Sequence, residues 1–313
     1  MSNHAKANML IENINSVVIG KEEVVKLVVV SLLAQGHLLL EDVPGIGKTT
    51  IANSLAKSIS CGFSRIQFTP DTLPSDVTGS SIYNMQTGKF EFIKGSVMSN
   101  IVLADEINRT SPKTQASLLE AMEEKQVTVD GQSYILEQPF MVIATQNPVD
   151  FLGTYNLPEA QLDRFLFKLA VGYPSFKDEH KMADNFIEGI TPNTISAVAT
   201  GQDIIEMQKE VLEVNVDKDI VSYIINIING TRKDADITLG ASPRATLALI
   251  RASQAKAYIE GRNYVIPDDI KYMVSFVLGH RIVLSPEARI NKIESKSVIE
   301  RIVNKIKVPV LKI

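Results

Sequence analysis

The segment Glu41–Thr50 reads EDVPGIGKTT and ends in a glycine, a lysine and two threonines. Glycines in such a loop let backbone N–H groups close on phosphate oxygens, because no Cβ stands in the way. The Lys48 ammonium can then reach the β- and γ-phosphates, and the Thr49 hydroxyl can hold Mg²⁺. A short apolar run before the segment and helical spacing after it predict strand, loop and helix, which is the context of a phosphate-binding loop.

One position departs from the usual loop pattern, because Asp42 stands where a glycine is expected five residues before Gly47. The alternative is a chance Gly-Lys-Thr in a turn, which the flanking strand and helix patterns disfavour. The helix N-terminus also adds partial positive charge for an anion. The candidate phosphate-binding residues are Val43, Pro44, Gly45, Ile46, Gly47, Lys48, Thr49 and Thr50.

An acidic pair, Asp105 and Glu106, follows the apolar run that begins at Asn100. Such a run predicts a buried parallel strand, and α/β folds bind ligands at the carboxyl ends of these strands. Asp105 can coordinate Mg²⁺ through its water shell. Glu106 can polarise an attacking water, a role worth roughly 10²–10⁴-fold in rate. A surface acidic pair is the alternative, and the phosphate loop upstream favours the catalytic interpretation.

Asn147 ends one further predicted strand, and Arg164 lies just before the last one. The Asn147 amide can orient the same water or touch the γ-phosphate, although Asn-Pro also simply marks a turn. An arginine that reaches a neighbour's nucleotide supplies roughly 10³–10⁵ in rate, and Arg164 is a candidate for it. The alternative for Arg164 is a salt bridge to Asp163 or Glu159.

Arg244 is the second residue of a helix that Ser242-Pro243 opens. A cation at a helix N-terminus opposes the helix dipole, at a cost of about 0.3–1 kcal/mol. This cost favours an anionic partner such as phosphate, and a solvated arginine is the alternative.

The bulk composition is that of a globular protein, with 313 residues, 45% apolar and 22% charged. With 32 basic against 36 acidic residues, the balance argues against a nucleic-acid binder that works by phosphate neutralisation. The richest apolar run, Leu27–Ala34, is too short to span a bilayer, and the first fifteen residues show no apolar signal core. Cys61 is the only cysteine, so a reducing compartment, the cytoplasm, is expected.

Strand and helix patterns alternate up to Tyr173-Pro174, which predicts an α/β domain with a mostly parallel sheet covered on both faces. Two hairpins interrupt this alternation, one over 82–93 and one over 126–136. The second has Asp130-Gly131 at its turn, the strongest short hairpin signal in the chain.

The pattern changes beyond residue 174, and the predicted domains are 1–174, a connection over 175–200, and a second domain over 201–313. No segment of this last domain resembles a buried strand, so an all-helical domain is expected. Gly230 is predicted to stop one of its helices, and Gly261 to close the helix that Ser242-Pro243 opens.

The order of these motifs resembles the MoxR family of AAA+ ATPases from about Val17 to Gly279. The matching segments read VIG, DVPGIGKT, LPSDVTG, LADEINR, LLEAMEE, VTVDG, ATQNP, LPEAQLDRF, VGYPS and ASPRA. The resemblance implies an αβα AAA+ P-loop NTPase core with a five-stranded parallel sheet, followed by a C-terminal helical lid. Asp42 is usual at its position in this family.

The resemblance also implies roles for individual residues. Val18, Ile19 and Gly20 would flank the adenine. Asp105 and Glu106 would form the Walker B pair, and Asn147 would be sensor 1. Arg164 would be an arginine finger acting from the next subunit, and Arg244, sensor 2, would close the site from the lid. The hairpins would be the helix-2 insert and the pre-sensor 1 hairpin, on the substrate side of a ring.

The implied function is Mg²⁺-dependent ATP hydrolysis by a homo-oligomer, expected to be a hexameric ring. The family is associated with chaperone-like maturation of partner proteins, often together with proteins that carry von Willebrand factor A domains. Two other classes stay open, a DNA-acting AAA+ motor and a nucleotide-dependent scaffold that does not hydrolyse ATP. The few basic residues of the hairpins disfavour the first. The second is disfavoured by the intact Lys48, Thr49, Asp105 and Glu106.

Overall fold

The computed structural model describes residues 3–43, 45–147, 154–192 and 194–309. Its helices are α1 (Asn3–Asn15), α2 (Glu22–Leu33), α3 (Lys48–Ser58), α4 (Pro74–Thr78), α5 (Pro112–Glu124), α6 (Glu159–Leu162), α7 (Phe176–Ile187), α8 (Gly201–Glu213), α9 (Lys218–Lys233), α10 (Pro243–Ile259), α11 (Pro267–Leu278), α12 (Pro286–Ile290) and α13 (Ser295–Lys305). Its strands are β1 (Leu38–Glu41), β2 (Phe63–Gln67), β3 (Gly79–Asn84), β4 (Lys89–Lys94), β5 (Ile101–Asp105), β6 (Gln126–Val129), β7 (Gln132–Ile135), β8 (Met141–Gln146), β9 (Phe167–Leu169), β10 (Ile237–Leu239) and β11 (Val283–Leu284).

The predicted parallel sheet is confirmed, with five strands in the order β2-β5-β8-β1-β9. Every neighbouring pair runs parallel. In register, Gln67 faces Asp105 across β2 and β5, and Glu41 faces Gln146 across β1 and β8. The carboxyl ends of the central strands therefore meet at one edge of the sheet, where such folds bind their ligands.

Alternate residues of the sheet pack into two separate hydrophobic clusters, one on each face. Leu103 and Ile143 join a cluster with α1, α2 and α3, whereas Val102 and Val142 join a cluster with α5. The sheet thus lies between two helical layers, because successive side chains of a strand point to opposite faces. The first cluster continues without a break into α8–α11, so the core and the lid share one hydrophobic interior.

Both hairpins are present where the sequence predicts them. β3 pairs antiparallel with β4, and β6 with β7. Asp130 and Gly131 at the second turn both have positive φ, as a two-residue turn of the I′ type requires. Phe92 of the first hairpin stacks on Tyr134 of the second, with ring centroids 3.8 Å apart. The two hairpins therefore hold each other on one side of the core.

The second half differs from the sequence expectation in two details. Its described residues form helices, one short antiparallel pair, β10 with β11, whose strands are too short to show a sequence pattern, and a single bridge between Asn215 and Tyr264. Gly230 does not stop its helix, because α9 continues to Lys233. A Cβ at Gly230 would lie 2.6 Å from Ile302 Cγ2, so the glycine lets α13 approach α9 closely. Among the described residues, no helix is both long and apolar enough to cross a membrane.

A buried ionic group stabilises the junction of α10 and α11. The fully buried Asp269 carboxylate accepts from Lys256 Nζ at 2.9 Å and from Arg262 at 2.7 Å. It also accepts from the backbone N–H of Ile266 and so caps α11. Removing one partner of a buried pair leaves an uncompensated charge, which is the costly case.

We predict that Asp269→Ala lowers the free energy of unfolding by about 3–5 kcal/mol, because it removes the buried carboxylate that caps α11 and leaves Lys256 and Arg262 with the partly exposed Glu260 as their carboxylate partner. The matched control is Asp268→Ala, whose side chain is 77% exposed and pairs only with Lys271 in the described structure. This control should change stability by about 0.5 kcal/mol at most. Urea unfolding followed by circular dichroism measures both, and equal losses in the two variants would contradict the assignment.

Candidate active site

The phosphate loop joins the end of β1 to the start of α3. Gly45 and Gly47 have φ of +86° and +93°, and apart from chain neighbours no described residue lies within 4 Å of the position a Cβ would take at either. Lys48 begins α3, and its Nζ donates to the backbone oxygen of Asp42 at 2.7 Å. Burial lowers the pKa of Lys48 from its ordinary value, while the nearby Asp105, Asp42 and Glu106 carboxylates oppose that shift. The ammonium is thus held at the loop, facing carboxylates. Pro44 of the predicted set lies outside the described residues.

Asp42, which departs from the usual loop pattern, anchors the loop through both oxygens of its carboxylate. One oxygen accepts from the N–H of Val43 at 2.8 Å, and the other from the N–H of Gly172 at 2.5 Å. Gly172 lies just after β9, the strand next to β1. A glycine at position 42 could make neither bond, so the aspartate ties the phosphate loop to the neighbouring strand end.

The main catalytic candidates surround one cavity of about 360 Å³. Its lining includes Gly45, Gly47, Lys48, Thr49, Thr50, Asp105, Glu106 and Asn147, all of them predicted from sequence. Arg65 and Gln67 also line it and were not predicted. The register of the sheet explains the convergence, since β1, β5 and β8 all end at this edge.

Thr145 connects the acidic pair to the adjacent strand. Its hydroxyl donates to Asp105 Oδ1 at 2.6 Å and accepts from the backbone N–H of Glu106 at 2.8 Å. Glu106 itself has φ of 57°, an uncommon value for a non-glycine residue. The sequence could have identified Thr145 by its spacing. It lies two residues before Asn147 at the end of the same predicted strand, so both side chains point to one face of the sheet.

The carboxylates of the acidic pair are held by side chains from β2 and from the turn after β5. Glu106 Oε2 accepts from Gln67 Nε2 at 2.8 Å and from Arg109 at 3.0 Å. Asp105 Oδ2 accepts from Arg65 at 2.6 Å. Residues 65 and 67 lie on the same face of β2, because side chains two positions apart in a strand point the same way. The sequence shows this polar pair, but its role can be predicted only once β5 is known to be the strand next to β2.

The donor set beside the phosphate loop fits Mg²⁺. This ion prefers hard oxygen ligands, keeps several waters and takes one or two carboxylates together with substrate phosphates. The Asp105 carboxylate and the exposed Thr49 hydroxyl supply such oxygens to the same cavity. These two residues would hold the ion.

The segment expected to flank the adenine lies against α7. Val18 and Ile19 are buried, and Gly20 has φ of +69°. A Cβ at Gly20 would come within 2.4 Å of the Asp178 carboxyl group, so this position needs glycine both for its backbone and for space.

Arg164 and Arg244 line a second cavity, of about 270 Å³, between the core and the lid. Glu123, at the end of α5, pairs with both of them, at 3.0 Å from Arg164. The partner of Arg164 is therefore neither Asp163 nor Glu159, the alternatives that the sequence offered. Arg244 has an anionic partner, as its place at a helix N-terminus favours, but this partner is a carboxylate. In the described structure Arg244 lies beside Arg164 and does not line the cavity at the phosphate loop of its own chain.

Comparison with family models identifies both halves of the chain. Residues 37–167 match the model described as ATPase family associated with various cellular activities (AAA). Residues 229–302 match the model of the AAA lid domain. The first match runs from β1 to the first residue of β9, and the second spans most of the helical domain.

Several curated proteins align along nearly the whole chain. The uncharacterized Bacillus subtilis protein YeaC is 52% identical over 98% of this chain and 96% of its own length. The Mycobacterium tuberculosis protein named Chaperone MoxR1 is 38% identical over 95% of this chain and 80% of its own. Protein MoxR of Paracoccus denitrificans is 29% identical over 90% of each.

A solved structure shares the fold as well. The crystal structure of a candidate ATPase from Cytophaga hutchinsonii superposes with a TM-score of 0.92 at 38% identity, over 98% of this chain and 96% of that one. Fold, phosphate loop and relatives agree, and the chain belongs to the MoxR family of AAA+ ATPases.

Proposed function

We propose that this chain is a Mg²⁺-dependent ATPase whose active site is completed by a second copy. One observation carries the proposal: the catalytic groups of a single chain are divided between two cavities. Lys48 and Glu106 line one cavity, and Arg164 and Arg244 line the other. Since arginines of this kind act on the nucleotide, the second cavity would serve the phosphate loop of a neighbour.

The arrangement favours a ring. The surface that offers the phosphate loop differs from the surface that offers the arginines, so contact between copies would be head-to-tail. Head-to-tail contacts either close into a ring or continue as a filament. Six subunits is the number that resemblance to the family implies, and we adopt it as part of the proposal.

Each group has a role in hydrolysis that its position supports. Thr49 and Asp105 would hold Mg²⁺, which would supply positive charge against the phosphates of ATP. Lys48, already beside the loop, would contact the same phosphates. Glu106 would accept a proton from the attacking water, with Gln67 and Arg109 fixing its carboxylate. Asn147, which lines the same cavity, would orient that water.

The two arginines would stabilise the charge that develops on the transferred phosphoryl group. Until a neighbour's nucleotide is in place, Glu123 supplies their counter-charge. A triphosphate carries more negative charge than one carboxylate, so it can compete for both guanidinium groups. In this proposal Arg244 acts in the same direction as Arg164, from one subunit to the next.

We further propose that hydrolysis drives chaperone-like remodelling of a protein client. The two hairpins support this, since they expose large apolar side chains: Met85 at 92%, Phe90 at 73% and Ile135 at 78%. Such exposure suits contact with a protein better than with a nucleic acid backbone. The name of the Mycobacterium tuberculosis relative agrees with a chaperone role. A client or partner with a von Willebrand factor A domain, and a cytoplasmic location, stay predictions from the family resemblance and the single cysteine.

We predict that Glu106→Gln binds ATP with nearly unchanged affinity but hydrolyses it roughly 10²–10⁴-fold more slowly, because it removes the proton acceptor and keeps the shape. Calorimetric titration with ATP and a phosphate-release assay measure the two quantities. Glu120→Gln, on the exposed side of α5, is the control and should hydrolyse ATP normally. Normal turnover by Glu106→Gln would rule out its assigned role.

We predict that Arg164→Ala and Arg244→Ala each lose hydrolysis, and that each regains part of it when mixed with Lys48→Ala subunits. The mixed rings contain interfaces in which an intact phosphate loop meets intact arginines. Loss for Arg164→Ala alone should reach roughly 10³–10⁵-fold. Phosphate release from equimolar mixtures measures the recovery.

The control for this experiment is a mixture of Arg164→Ala with Arg244→Ala. If both arginines act from the same subunit on its neighbour, every interface of that mixture lacks one of them and no activity returns. Recovery in that mixture would show instead that Arg244 serves its own chain, and would remove our assignment.

We predict that the hydrolysis rate per subunit falls on dilution, because a shared site exists only in the assembly. Light scattering on the same samples should show the loss of assembly over the same concentration range. A constant rate per subunit in samples that scatter as monomers would contradict a shared active site.

A further inference from the structure

The residue before Arg164 is held by two groups of the lid. Asp163 Oδ1 accepts from Arg281 Nε at 2.7 Å, and Asp163 Oδ2 accepts from the Ser242 hydroxyl at 2.8 Å. Arg281 follows the end of α11, and Ser242 directly precedes α10. One carboxylate of the core thus joins two separate elements of the lid.

Arg281 also fixes the backbone on both sides of Arg164. Its side chain is only 2% exposed, and its guanidinium donates to the carbonyl oxygens of Asp163 at 3.0 Å, Phe165 at 2.6 Å and Leu166 at 3.0 Å. Hydrogen bonds to a charged donor are stronger and shorter than neutral ones. The segment that carries Arg164 therefore has little freedom to move independently of the lid.

Ser242 stands at a helix start where serine normally caps, yet its hydroxyl makes no capping bond. The chain contains a matched example in Ser285, which is also followed by proline and which does cap its helix by accepting from the N–H of Ala288. Ser242 gives its hydroxyl to Asp163 instead. Because Arg244 lies two residues further on, this bond joins the start of its helix to the residue beside Arg164.

We propose that Asp163, Ser242 and Arg281 are positioning residues that hold Arg164 and Arg244 as one rigid unit. This inference rests on the proposed function, in which both arginines meet the same neighbouring phosphates. Catalytic groups must be held closely, since a displacement of about 1 Å can cost 10²-fold in rate. Convergence of both arginines on Glu123 shows that the unit already brings the two guanidinium groups to a single anion.

The experiment removes the hydroxyl of Ser242 and, as a control, that of Ser285, the other serine that precedes a proline at a helix start. It compares kcat and the thermal midpoint of the two variants. We expect Ser242→Ala to lower kcat about ten- to hundredfold with less than a twofold change in KM for ATP, because the phosphate loop of each chain is untouched. Its thermal midpoint should fall by about 2–4 °C, because the hydrogen bond to the Asp163 carboxylate is lost, so the readout that decides is kcat. Ser242→Thr keeps the hydroxyl and should restore kcat. Mixing Ser242→Ala with Lys48→Ala subunits should also restore activity.

Ser285→Ala is the control for a merely structural role. It removes a true helix cap, so it should lower the thermal midpoint by about 2 °C or more and leave kcat unchanged. If Ser242→Ala behaves in this way, with lost stability and normal kcat, positioning by Ser242 is wrong. Lost activity that Lys48→Ala subunits fail to restore would also overturn it.

The outcome separates this inference from the proposed function. A normal kcat for Ser242→Ala together with an inactive Arg164→Ala overturns the positioning unit and leaves the shared site intact. A normal kcat for Arg164→Ala overturns the shared site, and the positioning unit with it.

Discussion

The phosphate loop and the two arginines of this chain face different cavities, and most of its proposed biochemistry follows from that separation. Lys48 sits at the carboxyl edge of the sheet, where five parallel strands bring their polar ends together. Arg164 and Arg244 lie between the core and the lid, where they share Glu123. A single chain would therefore hold ATP without the two arginines that accelerate its hydrolysis, and assembly would become part of catalysis.

The lid contacts the core through a shared hydrophobic cluster and through Arg281, and both contacts bear on where the two arginines lie. Both belong to one continuous hydrophobic cluster, so a change in lid position has to be accommodated at a packed interface. Through its hydrogen bonds to Leu166 and Phe165, the buried guanidinium of Arg281 would carry such a change to the segment around Arg164. Hydrolysis at one interface and the placement of the arginines at the next would then be mechanically linked, as in other hinge-type transitions.

The parts of the fold that sequence predicts well are those with a local signal. Apolar runs predict the buried strands, and Asp130-Gly131 predicts a hairpin turn, because in each case the backbone conformation depends on residues that are neighbours in the sequence. Gly230 misleads for the opposite reason, since its small size serves contact with Ile302, far along the chain.

At the candidate site, too, local patterns are predicted and distant contacts are not. Asp105 stands out at a strand end, whereas Arg281 gives no signal, because its partner Asp163 is 118 residues away.

The most direct test of the shared site is a structure of the assembled Glu106→Gln variant with ATP and Mg²⁺. Our account predicts that the guanidinium groups of Arg164 and Arg244 from one subunit lie within hydrogen-bond distance of the γ-phosphate held by the Lys48 loop of the next. A γ-phosphate contacted by both arginines of the chain that binds it would contradict the account.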